Sequence, residues 1–283
     1  MNLKQAKKLQ AFTKLKNSFT ISKKDINLYQ TLSCGQIFSY KQINSGYLVF
    51  SGQEFAYIKE TIGDYLVRCD NVDYFKNFFD LNTNYDKIKE TLVQFEVMKA
   101  PIEFGGGIRI LRQDILETII SFVISANNNI KRITNTVFYL REHFGNKIGN
   151  FYAFPTLIQL EKITEQDFRS AGAGYRSPQL VRLIKELKNS GYERWGQLET
   201  EVLKNKLVAL SGIGPKVADC IMLFAYGKTD VFPVDTWIEK VYNNFFQKCT
   251  DRKEIRRKLV DKFKNFSGFA QQYLFFYQRE NKL

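Results

Sequence analysis

The chain has 283 residues, enough for one large domain or two to three small ones with a real core, and its 44% hydrophobic and 15% aromatic content excludes a disordered polymer. Lysine and arginine outnumber aspartate and glutamate 42 to 29, a formal charge of +13 that calls for a polyanionic partner, either nucleic acid or an anionic membrane surface. No apolar run reaches the roughly 18 residues of a membrane span.

The N-terminal stretch "MNLKQAKKLQAFTKLK" is basic but lacks the apolar segment of a signal peptide, so it reads as a lead-in segment in preference to a membrane-surface helix. Nucleic acid is then the expected partner. "QIFSY", "GYLVFSG", "EFAYIK" and "YLVRC" are short, β-branched and aromatic, with the turn signals "NSG" and "SGQ" between them, and predict an antiparallel sheet. The helical stretch "YDKIKETLVQF" follows. "FGGGIRILRQD" then reads as a hinge or turn, since its three glycines lack a Walker lysine pattern. We place the domain boundary there: a sheet domain over 1–104 and a helical domain over 105–283.

Beyond Asp114 the periodicity is helical. "ILETIISFVIS" is almost wholly apolar and predicts a buried helix. Amphipathic candidates follow: "ITNTVFYLREHF", "PTLIQLEKI", "PQLVRLIKELKNS", "EVLKNKLVAL", "KVADCIMLFAY", "TWIEKVYNNFFQK" and "AQQYLFFYQRE". The fold class is α+β. His143, the only histidine, falls at a helix C-terminus before Gly145 and reads as structural. Cys34, Cys69, Cys220 and Cys249 are far apart with no metal-ligand spacing, which fits reduced thiols in a cytoplasmic protein and no zinc or iron–sulfur site, and the high Lys, Asn, Ile and Phe content fits a bacterial cytoplasm.

Two helices meet at "LSGIGPKVADC", residues 210–220. Gly212 and Gly214 allow positive φ and close backbone approach, and Pro215 suits a first helical position. Such a tight turn, added to the positive charge, predicts a sequence-independent phosphate contact. Lys216 then sits at the unfavourable end of the helix dipole and shares a face with Cys220 and Phe224. Dipole and burial both predict a lowered amine pKa, as an amine nucleophile needs. A surface lysine on a phosphate is an equal alternative. Asp235, before the "TWIEKVY" helix, reads foremost as an N-cap, although a rigid carboxylate there could also support a developing cation.

"LSGIGPKVADC" with "VFPVD" resembles the helix–hairpin–helix, Gly/Pro–Asp superfamily of base-excision DNA glycosylases, and more narrowly the eukaryotic-type 8-oxoguanine DNA glycosylases with their bacterial members. "SCGQIFSY", "IRILRQD", "SFVISANNNIKRIT", "GAGYR" and "GFAQQYLFF" are similar to further segments of that family, in order and through most of the chain.

The resemblance implies a monomeric enzyme that flips 8-oxoguanine out of duplex DNA and excises it, with cytosine as the preferred opposite base. Lys216 would attack C1′, pass through a Schiff base and nick the strand by β-elimination, with Asp235 supporting the sugar cation. Gly35 would offer a backbone carbonyl to the lesion's N7–H, which guanine lacks. Gln271 would bond the Watson–Crick edge, and Phe275 and Cys220 would lie on the two ring faces, with Pro233 also lining the pocket. Asn127, Arg132 and Arg176 would face the widowed cytosine, and Tyr175 would wedge the emptied stack. Trp237 stands where many relatives have a histidine approaching the lesion's backbone, and Cys34 and Ile37 alter the segment around Gly35. No cofactor is implied as required, although hairpin carbonyls of this family often hold a cation and would leave no side-chain signature. The rivals are a non-catalytic DNA clamp and a glycosylase of broader oxidised-purine range.

Overall fold

The computed structural model describes residues 15–43 and 46–281, so most of the basic N-terminal stretch and Asn44–Ser45 of the "NSG" turn lie outside the described residues. Five antiparallel strands form the N-terminal sheet: β1 Asn17–Ser22, β2 Tyr40–Ile43, β3 Gly46–Ser51, β4 Glu54–Glu60 and β5 Asp64–Cys69. Their spatial order is β1-β5-β4-β3-β2, with Val49 opposite Ala56 and Ile58 opposite Val67. Every residue of β3 is buried, because the sheet is covered on both sides. Tyr47 and Val49 join Phe75, Phe78 and Phe79 on one face, and Leu48 and Phe50 meet Phe151 on the other.

Only Tyr40 of the expected strand "QIFSY" enters the sheet. At the start of that stretch, Gln36 is held away from the ladder by its side chain. Fully buried Gln36 donates to the carbonyls of Thr31 and Arg109 and accepts from the backbone of Leu111. Strand β1 replaces it at the other edge; "NSFTIS" carries too little apolar alternation to be read as a strand.

The remainder is helical. Asp114 caps the apolar helix Ile115–Ser125, accepting from the amide of Glu117 at 2.8 Å, and nine of the helix's eleven residues are buried. The helix–hairpin–helix pair is Thr200–Val208 and Pro215–Phe224, followed by Thr236–Phe245 and the C-terminal helix Ser267–Asn281. A helix over Arg252–Phe263 also forms from a segment too charged to stand out. The glycines at 105–107 are not a free hinge, because Asn27 donates to the Gly107 carbonyl at 2.8 Å and anchors the segment. Among the described residues no helix is long and apolar enough to cross a membrane.

Sheet and helices are joined by a buried polar cluster. Arg141 donates to Glu117 at 2.5 Å, Gly52 N donates to the same carboxylate at 2.7 Å, and Ser39 completes it. Removing one partner of a buried pair leaves an uncompensated charge, so Glu117→Ala is expected to lower unfolding free energy by about 3–5 kcal/mol, read from urea denaturation. A change under about 1 kcal/mol would show that this cluster does not hold the two layers together.

Candidate active site

Lys216 lies in the first turn of Pro215–Phe224, with Gly214 as N-cap and Pro215 leading the helix. Gly212 takes φ +82, and a Cβ there would stand 3.1 Å from Val123 Cγ1, so both conformation and space require glycine. Gly214 does not share that need. Its φ is −87 in extended backbone, and an added Cβ would meet nothing within 4 Å, so its contribution is an open face before the first-turn amides.

Lys216 is half-buried, its ammonium 5.7 Å from the centroid of the Phe122 ring and hydrogen-bonded to the Cys220 side chain. Phe122 stacks on Phe224 at 5.5 Å, so the shared face of Lys216, Cys220 and Phe224 is realised. The expected fall in amine pKa is not. Burial by itself pulls Lys216 down, but Cys220 and Asp235 favour the ammonium and the net direction is up. Burial pushes the Cys220 thiol up to about 11.

Asp235 caps Thr236–Phe245, accepting from Trp237 N at 3.0 Å and Ile238 N at 2.9 Å. It therefore caps the start of the helix, as the sequence suggests, and its charge favours the Lys216 ammonium. Pro233 lies in the buried segment leading to it, and Trp237 carries the Lys240 ammonium 5.0 Å from its ring centroid.

The C-terminal helix joins this helix to the sheet domain. Gly268 packs so closely on Leu223 that a Cβ would stand 2.4 Å from Leu223 Cδ1. Gln271, one turn on, is buried with Oε1 unpartnered, an acceptor awaiting a donor. Phe275, a further turn on, meets Gly35, whose φ is +83 and whose added Cβ would lie 3.1 Å from the Phe275 ring. Gln272 Nε2 donates to the Cys34 carbonyl at 2.8 Å. Gln271 and Phe275 are thus set along one helix that meets Gly35 on one side and packs on the lysine-bearing helix.

A second group forms beside it. Asn127 has φ +48 in the turn after the apolar helix. Arg176 donates to the Asn127 carbonyl at 2.8 Å and to Ala126 O, and its guanidinium lies 4.3 Å from the Tyr175 ring centroid. Tyr175 is 58% exposed, and Arg132 projects from the exposed start of Ile130–Phe144. Burial pulls the Arg176 guanidinium down, and the nearby Arg132 charge adds to this. Arg176 is therefore less available than Arg132, being buried and engaged with its own turn.

Sequence reasoning missed the polar framework. Buried Arg109 donates to the carbonyls of Phe79 and Thr83, Gln113 Nε2 donates to Gln36 O at 2.7 Å, and Gln113 N donates to Phe224 O at 2.8 Å. These bonds tie the Gly35 segment to the end of the lysine helix. Behind that helix, Asp219 is held by Arg256 at 2.7 Å and Lys204 at 3.5 Å. The four cysteines are free thiols, and among the described residues no group of His, Cys, Asp and Glu could hold a metal.

Residues 120–265 match the HhH-GPD superfamily of base excision DNA repair proteins, which defines the class. Residues 18–119 match the 8-oxoguanine DNA glycosylase N-terminal domain. The N-glycosylase/DNA lyase OGG1 of Arabidopsis thaliana is 30% identical over 89% of this chain and 77% of its own. The Clostridium acetobutylicum 8-oxoguanine glycosylase/lyase, solved with double-stranded DNA containing cytosine opposite the lesion, superimposes with TM-score 0.90 at 35% identity over 95% of this chain and 97% of its own. A 3-methyladenine DNA-glycosylase from Archaeoglobus fulgidus, 19% identical with TM-score 0.75 over 92% of this chain and 98% of its own, shares the fold alone. The chain belongs to the 8-oxoguanine DNA glycosylase family of this superfamily, a family of N-glycosylases and DNA lyases.

Proposed function

We propose that the protein is a monomeric bifunctional glycosylase that flips 8-oxoguanine out of duplex DNA in the bacterial cytoplasm, excises it opposite cytosine, and nicks the strand through a lysine Schiff base. The observation that carries the chemistry is one half-buried amine in the first turn after the hairpin, hydrogen-bonded to the Cys220 side chain and under the electrostatic influence of the helix-capping Asp235 carboxylate.

Lys216 is charged in the free protein, so a proton must leave its ammonium before attack; Asp235 is the anion that acts on it. The free amine bonds to C1′ as the C1′–N9 bond breaks, and the proton lost by the resulting secondary ammonium neutralises the departing purine anion. Opening the sugar ring breaks C1′–O4′: the nitrogen lone pair forms the iminium and O4′ takes a proton from water. A water molecule then accepts the C2′ proton, and its electron pair forms the C2′=C3′ bond as the C3′–O bond breaks and the 3′ phosphate leaves. Asp235 is fixed in place by two backbone donors and supports the positive charge that develops on the sugar. No cofactor takes part in these steps; a cation on the hairpin carbonyls would act on DNA binding.

Gly35 presents its carbonyl to N7–H, Gln271 meets the Watson–Crick edge with its unpartnered oxygen, and Phe275 and Cys220 enclose the ring. Borohydride should trap a covalent adduct on an 8-oxoguanine duplex with folded protein, and absence of an adduct sinks the lyase reading. Arg132→Ala should lower excision opposite cytosine about tenfold relative to adenine, since a good polar pair discriminates by about 1–3 kcal/mol. An unchanged ratio in single-turnover assays removes Arg132 from opposite-base selection.

A further inference from the structure

Glycine at position 35 solves one problem and creates another. Without a Cβ its backbone can reach a flipped base, yet glycine adopts either sign of φ readily, so nothing in the residue itself aims its carbonyl. The aim must come from its neighbours. Two donors on the C-terminal helix supply it: Gln272 Nε2 holds the carbonyl of Cys34 at 2.8 Å, and Arg279 Nη2 holds that of Ser33 at 2.7 Å. Ser33 is the last residue of the short helix Leu28–Ser33, so its carbonyl is one of the end groups a helix leaves unbonded. The two donors lie seven residues apart, about two helical turns, and flank Phe275.

Arg279 is itself constrained. Glu280 accepts from its Nε at 3.0 Å and from its Nη2 at 2.7 Å, and the guanidinium lies 5.6 Å from the centroids of both Phe275 and Phe276. Its Nη1 would be 3.5 Å from a Cβ on Gly35 and is buried without a partner. One side chain thus touches the turn that carries Gly35 and the aromatic ring beside it.

We propose that Arg279 is a positioning residue for lesion recognition: by clamping the Ser33–Gly35 turn to the C-terminal helix it fixes how the Gly35 carbonyl and Phe275 meet the flipped base. This rests on the glycosylase reading above. Arg279→Met keeps the aliphatic packing on the aromatic rings and removes every donor, whereas Arg279→Lys keeps a cation with a single donor centre.

Single-turnover excision of 8-oxoguanine opposite cytosine should fall about tenfold or more in Arg279→Met and less in Arg279→Lys, with the preference over guanine falling alongside. Nicking of a preformed abasic site should stay within about twofold of the unaltered protein, because no base is present for Gly35 to meet. Unchanged excision overturns the proposal. So does a parallel loss of excision and abasic-site nicking in both variants, which would make Arg279 merely structural. An unaltered protein that nicks abasic sites but leaves 8-oxoguanine intact overturns the substrate reading and, with it, the inference built on that base.

Discussion

Lys216→Gln is expected to abolish the borohydride-trapped adduct and to lower strand nicking by about 10⁴-fold or more, while duplexes containing 8-oxoguanine still bind. A nucleophile that forms the covalent intermediate has no partial substitute, so its removal is comparable with removal of the whole catalytic group. Binding should survive because, on the proposed reading, the hairpin amides, Gly35, Phe275 and the excess of positive charge still hold the DNA. Glutamine keeps most of the aliphatic stem that packs beside Phe122 and Cys220. The measurements are gel-resolved adduct after borohydride and a binding isotherm on the same DNA. An adduct that persists at full yield would assign the Schiff base to another amine, and loss of both adduct and binding would point to a collapsed hairpin.

Asp235→Asn is expected to lower single-turnover excision about 10²- to 10³-fold with stability changed by less than about 1 kcal/mol. The separation follows from the two tasks of the side chain. Asparagine caps helices about as well as aspartate, so the bonds to Trp237 N and Ile238 N survive. What disappears is the negative charge that favours the Lys216 ammonium in the free protein and the sugar cation during reaction. Excision that stays within about threefold of the unaltered protein would leave Asp235 as a cap alone. A large fall in the unfolding midpoint would show that asparagine does not replace the cap.

The direction of the Lys216 shift marks where local reasoning stops. Helix dipole and burial are visible along the chain, and both disfavour an ammonium. The opposing groups are Cys220, one turn away, and Asp235, brought in by a different helix, and together they reverse the sign. On the proposed mechanism the ammonium must therefore lose its proton when substrate arrives. The hairpin glycines divide in a similar way. Gly212 is required by its φ and by Val123, whereas Gly214 adopts ordinary backbone and serves by leaving space.

The ordered motifs, the hairpin with Lys216 and Pro215, the cap at Asp235, the apolar helix after Asp114 and the α+β class were all legible along the chain, because capping, periodicity and turn chemistry are local. The grouping of Asn127, Arg132, Tyr175 and Arg176 came from the resemblance alone; the structure brings Asn127, Tyr175 and Arg176 together at one turn, with Arg132 near enough for its charge to act on Arg176. Buried polar partners were not legible. The partners of Gln36, Arg109, Gln113, Glu117, Arg141 and Arg279 cannot be read along the chain, and only tertiary packing forms the bonds that anchor the segment around Gly35 and join sheet to helices. Short-range preferences decide which element a segment forms, but a polar side chain's partner, and hence its charge state and its role, depends on groups that only the folded chain brings within bonding distance.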